Sequence, residues 1–276
     1  MPLSIEPPAP GPLSVPRPWD LVSAGYAEVI RDHFVRYAQD ALTLARVGPA
    51  DEILDVATGP GSLALTASPL VARVEALDFS AGMLAELETR RVAAGARNVT
   101  ARQGDGQALP YADASFDAAF SMFGLIFFPD RARGFRELRR VLRPGGRAVV
   151  SSWHPMEEVP IVMAVLRALP SLVPGLAPND GRGPLSDPEA LRVEMEDAGF
   201  VVEVHETAHA AVSPSLEVFW RGFLRSFAPF GLLRENLGAQ AFGALADTVL
   251  ERLRAQFGDG PVQAPMPAWL ALGRTV

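Results

Sequence analysis

Short apolar runs and helical patterns alternate between residues 52 and 153, and this alternation constrains the fold more than any other feature of the chain. The five runs are, in order, EILDVA, VARVEALDF, NVTARQG, FDAAFSMFG and RAVVSSW. Runs of this length that alternate with helical patterns indicate strands joined by helical crossovers, which makes neighbouring strands parallel. We therefore predict an α/β fold, in which helices cover both faces of a mainly parallel sheet.

The flanking segments extend this core. Residues 2–18 carry seven prolines, which predicts an extended arm, and residues 20–47 have the periodicity of a helix. After Trp153 we predict an apolar helix over 157–172 and a helix that a capping box opens at 186–189. A sixth strand, two helices and a closing strand follow in that order.

The first strand runs directly into a glycine-rich loop, Gly59-Pro60-Gly61-Ser62-Leu63-Ala64, which fits the pattern G-x-G-x-x-G/A. Such a loop brings backbone N–H groups close to a nucleotide ligand. Alone it does not separate a nicotinamide dinucleotide from other ligands, but Asp55 ends the strand before it. A carboxylate there disfavours a pyrophosphate and favours positive charge. S-Adenosyl-L-methionine has that charge, because an ammonium and a sulfonium replace the phosphates.

Acidic residues stand at the ends of three consecutive predicted strands: Asp55, Asp78 and Asp105. Each of them alone could be a strand-end carboxylate that caps the next helix. The carboxyl ends of parallel strands meet at one edge of a sheet, where α/β proteins bind their ligands. The three together therefore predict a ligand along that edge.

At this point the stretch 52–153 resembles the class I S-adenosylmethionine-dependent methyltransferases, and it is most similar to the ubiquinone/menaquinone-biosynthesis type and its small-molecule relatives. The resemblance rests on the order of six motifs: ILDVATGPG, VEALDFSAGML, GDGQALPYADASFD, SMFGLIFFPD, RELRRVLRPGG and VVSSW. It implies a Rossmann-like seven-stranded sheet with an antiparallel last strand, an extra N-terminal helix and lid-like insertions. It also implies S-adenosyl-L-methionine as methyl donor and S-adenosyl-L-homocysteine as product.

With this resemblance, we divide the chain into a proline-rich arm and a single methyltransferase domain. The predicted arm is 1–18 and the domain is 19–276. Within the domain, the cofactor-binding core spans about 45–153, and acceptor-side insertions span about 155–185 and 214–258.

Matched by position, the motifs imply a role for individual residues in binding the cofactor. The methionine end would lie against Asp55, Ala57, Gly59 and Gly61; the ribose and adenosine against Asp78, Phe79 and Met83; the adenine against Asp105, Gly106 and Gln107; and the transferable methyl near Ser121 and Phe123. Ala57 departs from the commonest form of the motif, which has glycine there.

Methyl transfer requires alignment of the reacting groups and exclusion of water, and we expect no bound metal. An oxygen or nitrogen acceptor can also need a base. His154 directly follows the fifth strand and is the candidate catalytic base, although it could instead cap the strand or line the pocket. His205 and His209 are expected on the surface of the sixth strand, and His33 is expected to be solvated.

Aromatic residues cluster near the predicted ligand edge and suit a planar or apolar acceptor. The residues expected to bind the acceptor are Trp19, Tyr26, Phe127, Trp153, His154 and Trp220. The alternative for the aromatic residues on the helix around Trp220 is ordinary core packing, since their spacing is also that of a buried helix face.

The composition of the chain argues against several classes of partner and of chemistry. The net charge is −7, which argues against nucleic acid as a partner. The chain has no Cys, and all 25 basic residues are Arg, so disulfides, thiolate nucleophiles and lysine Schiff bases are excluded. We find no stretch long enough to span a membrane and no signal-peptide order at the N-terminus, so we expect a cytoplasmic protein. Monomer and homodimer both stay open.

Three functional hypotheses follow. The first is an enzyme that transfers methyl groups to a small, aromatic or polyketide-like molecule at oxygen, carbon or nitrogen, in small-molecule or secondary metabolism. The second is an NAD(P)-dependent oxidoreductase that uses the glycine loop. The third is a relative that binds the cofactor without transferring the methyl group.

Overall fold

The computed structural model describes residues 11–276, so most of the predicted proline-rich arm lies outside the described residues. Where the two overlap, the prediction of an extended arm as far as residue 18 is wrong for its last three residues, because helix α1 begins at Pro16. Pro16 and Pro18 stand in the first helical turn. There the N–H groups have no acceptor within the helix, so proline is tolerated.

Within the described residues, seven strands form one sheet in the order β3-β2-β1-β4-β5-β7-β6. Their bounds are β1 Glu52–Val56, β2 Arg73–Asp78, β3 Val99–Gln103, β4 Phe116–Met122, β5 Leu142–Trp153, β6 Phe200–Ser213 and β7 Val262–Thr275. Strands β1 to β5 pair in parallel, and β7 runs antiparallel between β5 and β6. The predicted fold class is confirmed. The strand order reverses between β1 and β4, which is where α/β sheets open a crevice for ligands.

The helices lie around this sheet. Their bounds are α1 Pro16–Val29, α2 Arg31–Ala45, α3 Ser62–Ala67, α4 Ala81–Ala93, α5 Arg131–Val141, α6 Pro160–Ala168, α7 Pro188–Asp197, α8 Leu216–Ser226 and α9 Ala228–Phe257. The single N-terminal helix that we predicted is two helices, which meet at Ile30. Helix α9 is interrupted at Gly238, whose φ is 77°. None of the described helices combines the length and the apolarity that crossing a bilayer requires.

Alternate strand residues supply two separate cores. Ile53 of β1 packs in a cluster with α2, α3 and α4, whereas its neighbour Leu54 packs in a cluster with α5 and α7. This is the alternation expected of a strand that is buried on both faces. A third cluster joins α6, α8 and α9. Helix α1 packs against α8, because Gly25 lets the backbones approach: a Cβ there would lie 2.2 Å from the carbonyl oxygen of Arg225.

Candidate active site

A cavity of about 1110 Å³ opens at the carboxyl edge of the sheet. One part, which we call the loop end, is lined by the segments that follow β1, β2 and β3. The other part, the helix end, is lined by residues of α2, α6, α8 and the ends of β5 and β6. The predicted site residues that line the cavity are Trp19, Tyr26, Ala57, Gly59, Asp78, Phe79, Met83, Asp105, Gly106, Gln107, Phe123, Phe127, Trp153 and His154.

Asp78 joins the glycine loop to the end of β2. Its Oδ2 accepts a hydrogen bond from the amide of Gly59 at 2.7 Å, and its Oδ1 accepts from the amide of Ser80 at 2.9 Å. Burial, with a smaller contribution from the charge of nearby Asp20, raises the pKa of the Asp78 carboxyl to about 6. The side chain is thus a buried carboxylate that two backbone amides hold in place at the cavity wall.

Asp55 is buried behind the loop and does not line the cavity. Its Oδ2 accepts from the hydroxyl of Thr58 at 2.6 Å and from the amide of Ala64, in the first turn of α3, at 3.1 Å. Burial raises its pKa to about 7, and the neighbouring Asp78 adds to this shift. These contacts match the alternative that the sequence left open, in which the carboxylate caps the following helix.

Two strand ends have an unusual backbone. Ala57 and Phe123 both have φ at 57°, in the left-handed region that favours glycine. A Cβ on Gly124 would lie 2.3 Å from the Cβ of Ala57, so the turns after β1 and β4 touch here. Glycine, the commonest residue of the motif at the position of Ala57, adopts this φ without strain. Alanine adopts the same conformation at a cost to folding stability on the order of 1 kcal/mol.

Gly61 does not line the cavity either. It has φ at 82°, and a Cβ there would lie 2.2 Å from Cδ1 of Leu87 on α4. The second glycine of the loop therefore serves the close packing of the loop against α4, which is a recognised use of glycine in such fingerprints.

Hydrogen bonds and close packing of its own residues hold the loop after β3 in place. Asp105 Oδ1 accepts from the backbone amide of Gln107 at 2.8 Å, and the side-chain oxygen of Gln107 accepts from the amide of Asp130 at 2.8 Å. A Cβ on Gly106 would lie 2.4 Å from Cζ of Phe128. This packing fixes the loop beside the cavity.

Ser121 is buried and lies away from the cavity wall, where its hydroxyl accepts from the amide of Leu125 at 3.1 Å. It shapes the turn after β4. Ser151, which the sequence analysis missed, supports the same turn, since its hydroxyl accepts from the amide of Phe123 at 2.8 Å.

An aromatic wall joins the two ends of the cavity. Phe123 stacks on Trp153 with ring centroids 3.9 Å apart and planes inclined by 14°. Phe34 of α2 meets both rings edge-on, at centroid distances of 5.1 Å and 5.8 Å. Trp19 meets Phe127 in the same way at 4.9 Å. Phe34 was not predicted, because nothing in its local pattern indicates that α2 crosses this edge.

Helix α1 is fastened to the loop end. Asp20 Oδ1 accepts from the hydroxyl of Ser80 at 2.5 Å and from the amide of Gly82 at 2.9 Å, at the start of α4. Ser80 is the predicted N-cap of α4, and its hydroxyl accepts from the amide of Met83. Tyr26 of α1 also faces this region, and burial together with the charge of Asp78 raises the pKa of its hydroxyl.

His154 lies at the end of β5 with only 6% of its surface exposed. Its ring stacks on Trp269 at a centroid distance of 3.8 Å. Its Nδ1 lies 3.3 Å from Glu158 Oε2, and its Nε2 has no hydrogen-bond partner and lies 4.0 Å from Glu206 Oε1. The imidazole is thus oriented from one side and free on the other.

Two predictions from the sequence need correction. Trp220 does not line the cavity: it is buried in the cluster of α6, α8 and α9, where its indole N–H donates to the carbonyl of Ala246 at 3.1 Å. Phe219 and Phe223 line the cavity instead, because a spacing of four residues places them on another face of α8, and Phe227, directly after α8, lines it too. His33, expected to be solvated, lines the cavity.

The histidines of β6 lie on the sheet surface, as expected. His209 Nε2 is 2.7 Å from Asp40 Oδ2, and His205 Nε2 is 3.6 Å from Glu203 Oε2. No arrangement of His, Asp and Glu in residues 11–276 forms a cluster that could hold a metal ion.

Comparison with known proteins agrees with this geometry. A family model described as "Methyltransferase domain" matches residues 53–146. The curated relatives include the demethylmenaquinone methyltransferase of Mycolicibacterium vanbaalenii, 37% identical over 154 residues, which cover 54% of this chain and 63% of that protein. The demethylmenaquinone methyltransferase of Corynebacterium kroppenstedtii is 39% identical over 128 residues, which cover 45% of this chain and 53% of that protein. The chain therefore spans between half and two thirds of the length of these relatives.

Solved structures share the fold at low identity. The [4+2]-cyclase SpnF superposes with a TM-score of 0.64 at 21% identity and covers 98% of both chains. The YcgJ protein of Bacillus subtilis has a TM-score of 0.59 at 19% identity and covers 87% of this chain and 98% of that one.

Fold and matched residues together indicate the class: the sheet has the fold shared with the solved structures above, and residues 53–146 match the methyltransferase domain model. The resemblance inferred from the six motifs is confirmed. The curated relatives named above are both demethylmenaquinone methyltransferases, and the family model matches the part of the chain that builds the loop end.

Proposed function

We propose that this chain transfers the methyl group of S-adenosyl-L-methionine to a small, planar and largely apolar acceptor, with S-adenosyl-L-homocysteine as the product. The observation that carries the proposal is Asp78, a buried carboxylate that the glycine-loop amide and the start of α4 hold at the wall of the cavity. A fixed acceptor of hydrogen bonds at this place suits the two hydroxyls of a ribose.

The charge at the loop end supports a sulfonium nucleoside over a dinucleotide. Asp78 and the buried Asp55 both lie beside the glycine loop, so a pyrophosphate bound there would meet two carboxylates. The ammonium and sulfonium of the proposed methyl donor would instead be attracted. Phe79 and Met83 offer apolar contacts for the adenosine, and Asp105 offers a carboxylate for the adenine amino group.

The donor supplies an electrophilic methyl group: its bond to sulfur breaks as the bond to the acceptor forms, and the sulfonium becomes a neutral thioether. The protein has to align the acceptor with that bond and exclude water. Phe123, Trp153 and Phe34 form the rigid apolar wall at which this alignment would occur.

His154 is the proposed base for an oxygen or nitrogen acceptor. A hydrogen bond from its Nδ1–H to Glu158 leaves the lone pair on Nε2, which has no other partner. Once Nε2 has taken the proton of the acceptor, Glu158 and Glu206 would both stabilise the imidazolium. A carbon acceptor that is already nucleophilic would not need this step.

We also propose that α1 onward forms one domain, in which the two insertions cover the acceptor. Met156, Val162 and Leu166 from the first insertion, and Phe219 and Phe223 from the second, supply apolar wall at the helix end. These contributions support an apolar small molecule as the acceptor.

The test is calorimetric titration of S-adenosyl-L-methionine, S-adenosyl-L-homocysteine, NAD and NADP into the wild type, Asp78→Ala and the control Asp247→Ala, an exposed carboxylate on α9. We expect the two sulfur nucleosides to bind the wild type and the control alike. Loss of a charged hydrogen-bond acceptor should weaken their binding to Asp78→Ala by about tenfold or more. Binding of a dinucleotide alone, or equal affinity in Asp78→Ala, would contradict the proposal.

A relative that binds the cofactor without methyl transfer is the second candidate, because SpnF, with the same fold, is described as a cyclase. The two candidates separate on product formation. Methyl transfer predicts that incubation with a panel of planar phenols, amines and enols yields S-adenosyl-L-homocysteine, whereas the second candidate predicts binding with no such product from any of them.

A further inference from the structure

His33 stands out among the residues at the helix end because its polar atoms have no partners. Its ring lines the cavity, yet Nδ1 and Nε2 are both shielded from solvent and neither forms a hydrogen bond. Its nearest rings, Tyr37 at 5.1 Å and Phe34 at 5.9 Å, meet it edge-on and offer it no lone pair. Buried polar groups in folded proteins are nearly always paired, so two orphaned nitrogens at a cavity wall indicate a partner that arrives with a ligand.

The protonation state of His33 limits the chemistry of that partner. Burial lowers the pKa of the imidazole to about 4, and the charges of Arg36 and His209 add to the effect. The ring is therefore neutral at physiological pH and has one N–H donor and one lone pair. A hydroxyl group, which both donates and accepts, matches this pair, whereas a carboxylate or an ammonium matches only half of it.

The surroundings of His33 indicate what the rest of the ligand is like. Opposite α2, the cavity wall consists of the end of β6, Ala210 to Pro214, and of aromatic residues on α8. Arg36, the nearest cation on α2, is exposed and points its guanidinium at the carbonyl of Ala210, 3.5 Å away. Asp32, Arg221 and Arg225 also line the cavity, but each of them is paired, with Arg31, Glu217 and Glu28 respectively. The rest of the wall near His33 is largely apolar, which suits a ligand whose body is a hydrocarbon or an aromatic ring.

His33 is also connected to the site of transfer. The adjacent residue Phe34 contacts both Phe123 and Trp153, which form the aromatic wall. A molecule bound by His33 would therefore lie against α2, the helix that supports this wall. A small shift of α2 would change the positions of the rings that align the acceptor.

We propose that His33 binds a hydroxyl group of the acceptor and thereby selects hydroxylated planar molecules over hydrocarbons of the same shape. This inference rests on the proposed function of the cavity, since it assigns the acceptor to the helix end. It makes His33 a specificity-determining residue, distinct from His154, whose free nitrogen lies at the end of β5.

The first experiment measures a preference rather than turnover. Binding of 2-naphthol and of naphthalene is measured by fluorescence with the wild type, His33→Leu and the control His205→Leu, each saturated with S-adenosyl-L-homocysteine. His205 is a suitable control because its Nε2 is likewise unpartnered but it does not line the cavity. We expect the wild type and His205→Leu to favour 2-naphthol by about fivefold or more, and His33→Leu to bind the two compounds equally.

A preference for 2-naphthol that survives in His33→Leu, or no preference in the wild type, overturns the proposal. Binding of S-adenosyl-L-homocysteine is recorded on the same samples, so failure of the proposed function is seen separately: in that case the nucleoside does not bind, whatever the naphthols do.

The second experiment separates recognition from a structural role. Because the His33→Leu substitution would place an apolar side chain where two unpaired nitrogens were buried, thermal unfolding of this variant without ligand should occur at the wild-type temperature or about 2–4 °C above it. The conservative variant His33→Gln, which keeps a donor and an acceptor, should retain part of the 2-naphthol preference. A lower unfolding temperature in His33→Leu together with no rescue by His33→Gln would show that His33 serves the fold alone.

Discussion

The two ends of the cavity differ in whether their polar side chains already have hydrogen-bond partners within the protein. At the loop end, Asp78 uses both carboxylate oxygens on backbone amides, and Asp105 and Gln107 are tied into the loop after β3. At the helix end, His33 leaves two nitrogens without partners and His154 leaves one. The first arrangement is complete without a ligand and is therefore preorganised, whereas the second keeps polar atoms that the proposed acceptor would pair with.

This difference follows the distribution of similarity along the chain. The family model matches residues 53–146, which include the segments after β1, β2 and β3. The helices α2, α6 and α8, which build the helix end, lie outside that match. A shared nucleotide needs one rigid site, while the second substrate differs from protein to protein, so the helix end is where this chain would set its own specificity.

The largest expected effect tests the rigidity of the loop end. Gly61→Ala should lower the free energy of unfolding by about 3 kcal/mol, because its Cβ would lie 2.2 Å from Leu87 Cδ1 and its φ is 82°. Gly95→Ala, in the turn after α4, also has a positive φ, 63°, but open space around its Cβ, so about 1 kcal/mol is expected. Urea unfolding of both variants measures the difference, and equal losses would show that the loop end is no more tightly packed than the turn after α4.

A pH effect of intermediate size tests the charge at the loop end. Burial raises the pKa of Asp55 to about 7 and of Asp78 to about 6, so both bind protons more tightly in the folded than in the unfolded chain. Without ligand, these two groups therefore lower the free energy of unfolding as the pH rises from about 4 to about 7. The cationic methyl donor favours the ionised carboxylates, so its binding should release protons and be about tenfold weaker at pH 5 than at pH 8.

Calorimetry in buffers of different ionisation enthalpy counts the released protons, and Asp78→Asn should remove the share that belongs to Asp78. Affinity that is unchanged between pH 5 and pH 8, with heats independent of the buffer, would mean that the carboxylates are already ionised in the free protein.

The smallest effect concerns the helix end. Glu158→Ala should move His154 from the Nδ1–H tautomer toward the Nε2–H tautomer, because the hydrogen bond to Nδ1 is lost. Nitrogen NMR of labelled histidine detects the change directly. Since the Glu158 side chain is 50% exposed, the bond contributes about 1 kcal/mol or less, and any rate of transfer should fall only a few-fold.

Glu157→Ala is the matched control, because Glu157 pairs with Arg182 and not with His154. The same tautomer in wild type and Glu158→Ala would remove Glu158 from the positioning of the ring. Affinity for S-adenosyl-L-homocysteine should not change in either variant.

The parallel core could be predicted from the sequence because each of its elements is locally consistent. Strands β1, β2 and β4 and the second half of β5 are short, largely apolar runs, and Ser80 caps α4 as its position before the helical pattern indicates. Only the details differ: the cap of α7 is Asp187, one residue after the Ser186 that the capping box suggested. Local signals and final structure agree here because the sheet buries what the pattern marks as apolar.

The helix end could not be predicted to the same extent, because it depends on which helices cross. Ile30 separates α1 from α2 without a proline or glycine to mark the break. The first part of α9 contains Gly231, which disfavours a helix locally, yet its missing side chain lets α9 pack against α1: a Cβ there would lie 3.0 Å from Cγ1 of Val22. His33, Phe34 and the Phe219 face of α8 reach the cavity through such crossings, which no short-range pattern encodes.

The hydrogen bonds between Asp20 and the start of α4 have a consequence for the order in which substrates bind and products leave. They tie α1 to the segment beside Asp78, while Trp19 and Tyr26 of the same helix line the cavity. A molecule that enters or leaves past α1 would have to break these hydrogen bonds, and a methyl donor bound at Asp78, as proposed above, would lie beside them. We therefore expect an ordered binding mechanism, in which the donor binds first and the acceptor second. Product-inhibition kinetics would test this order.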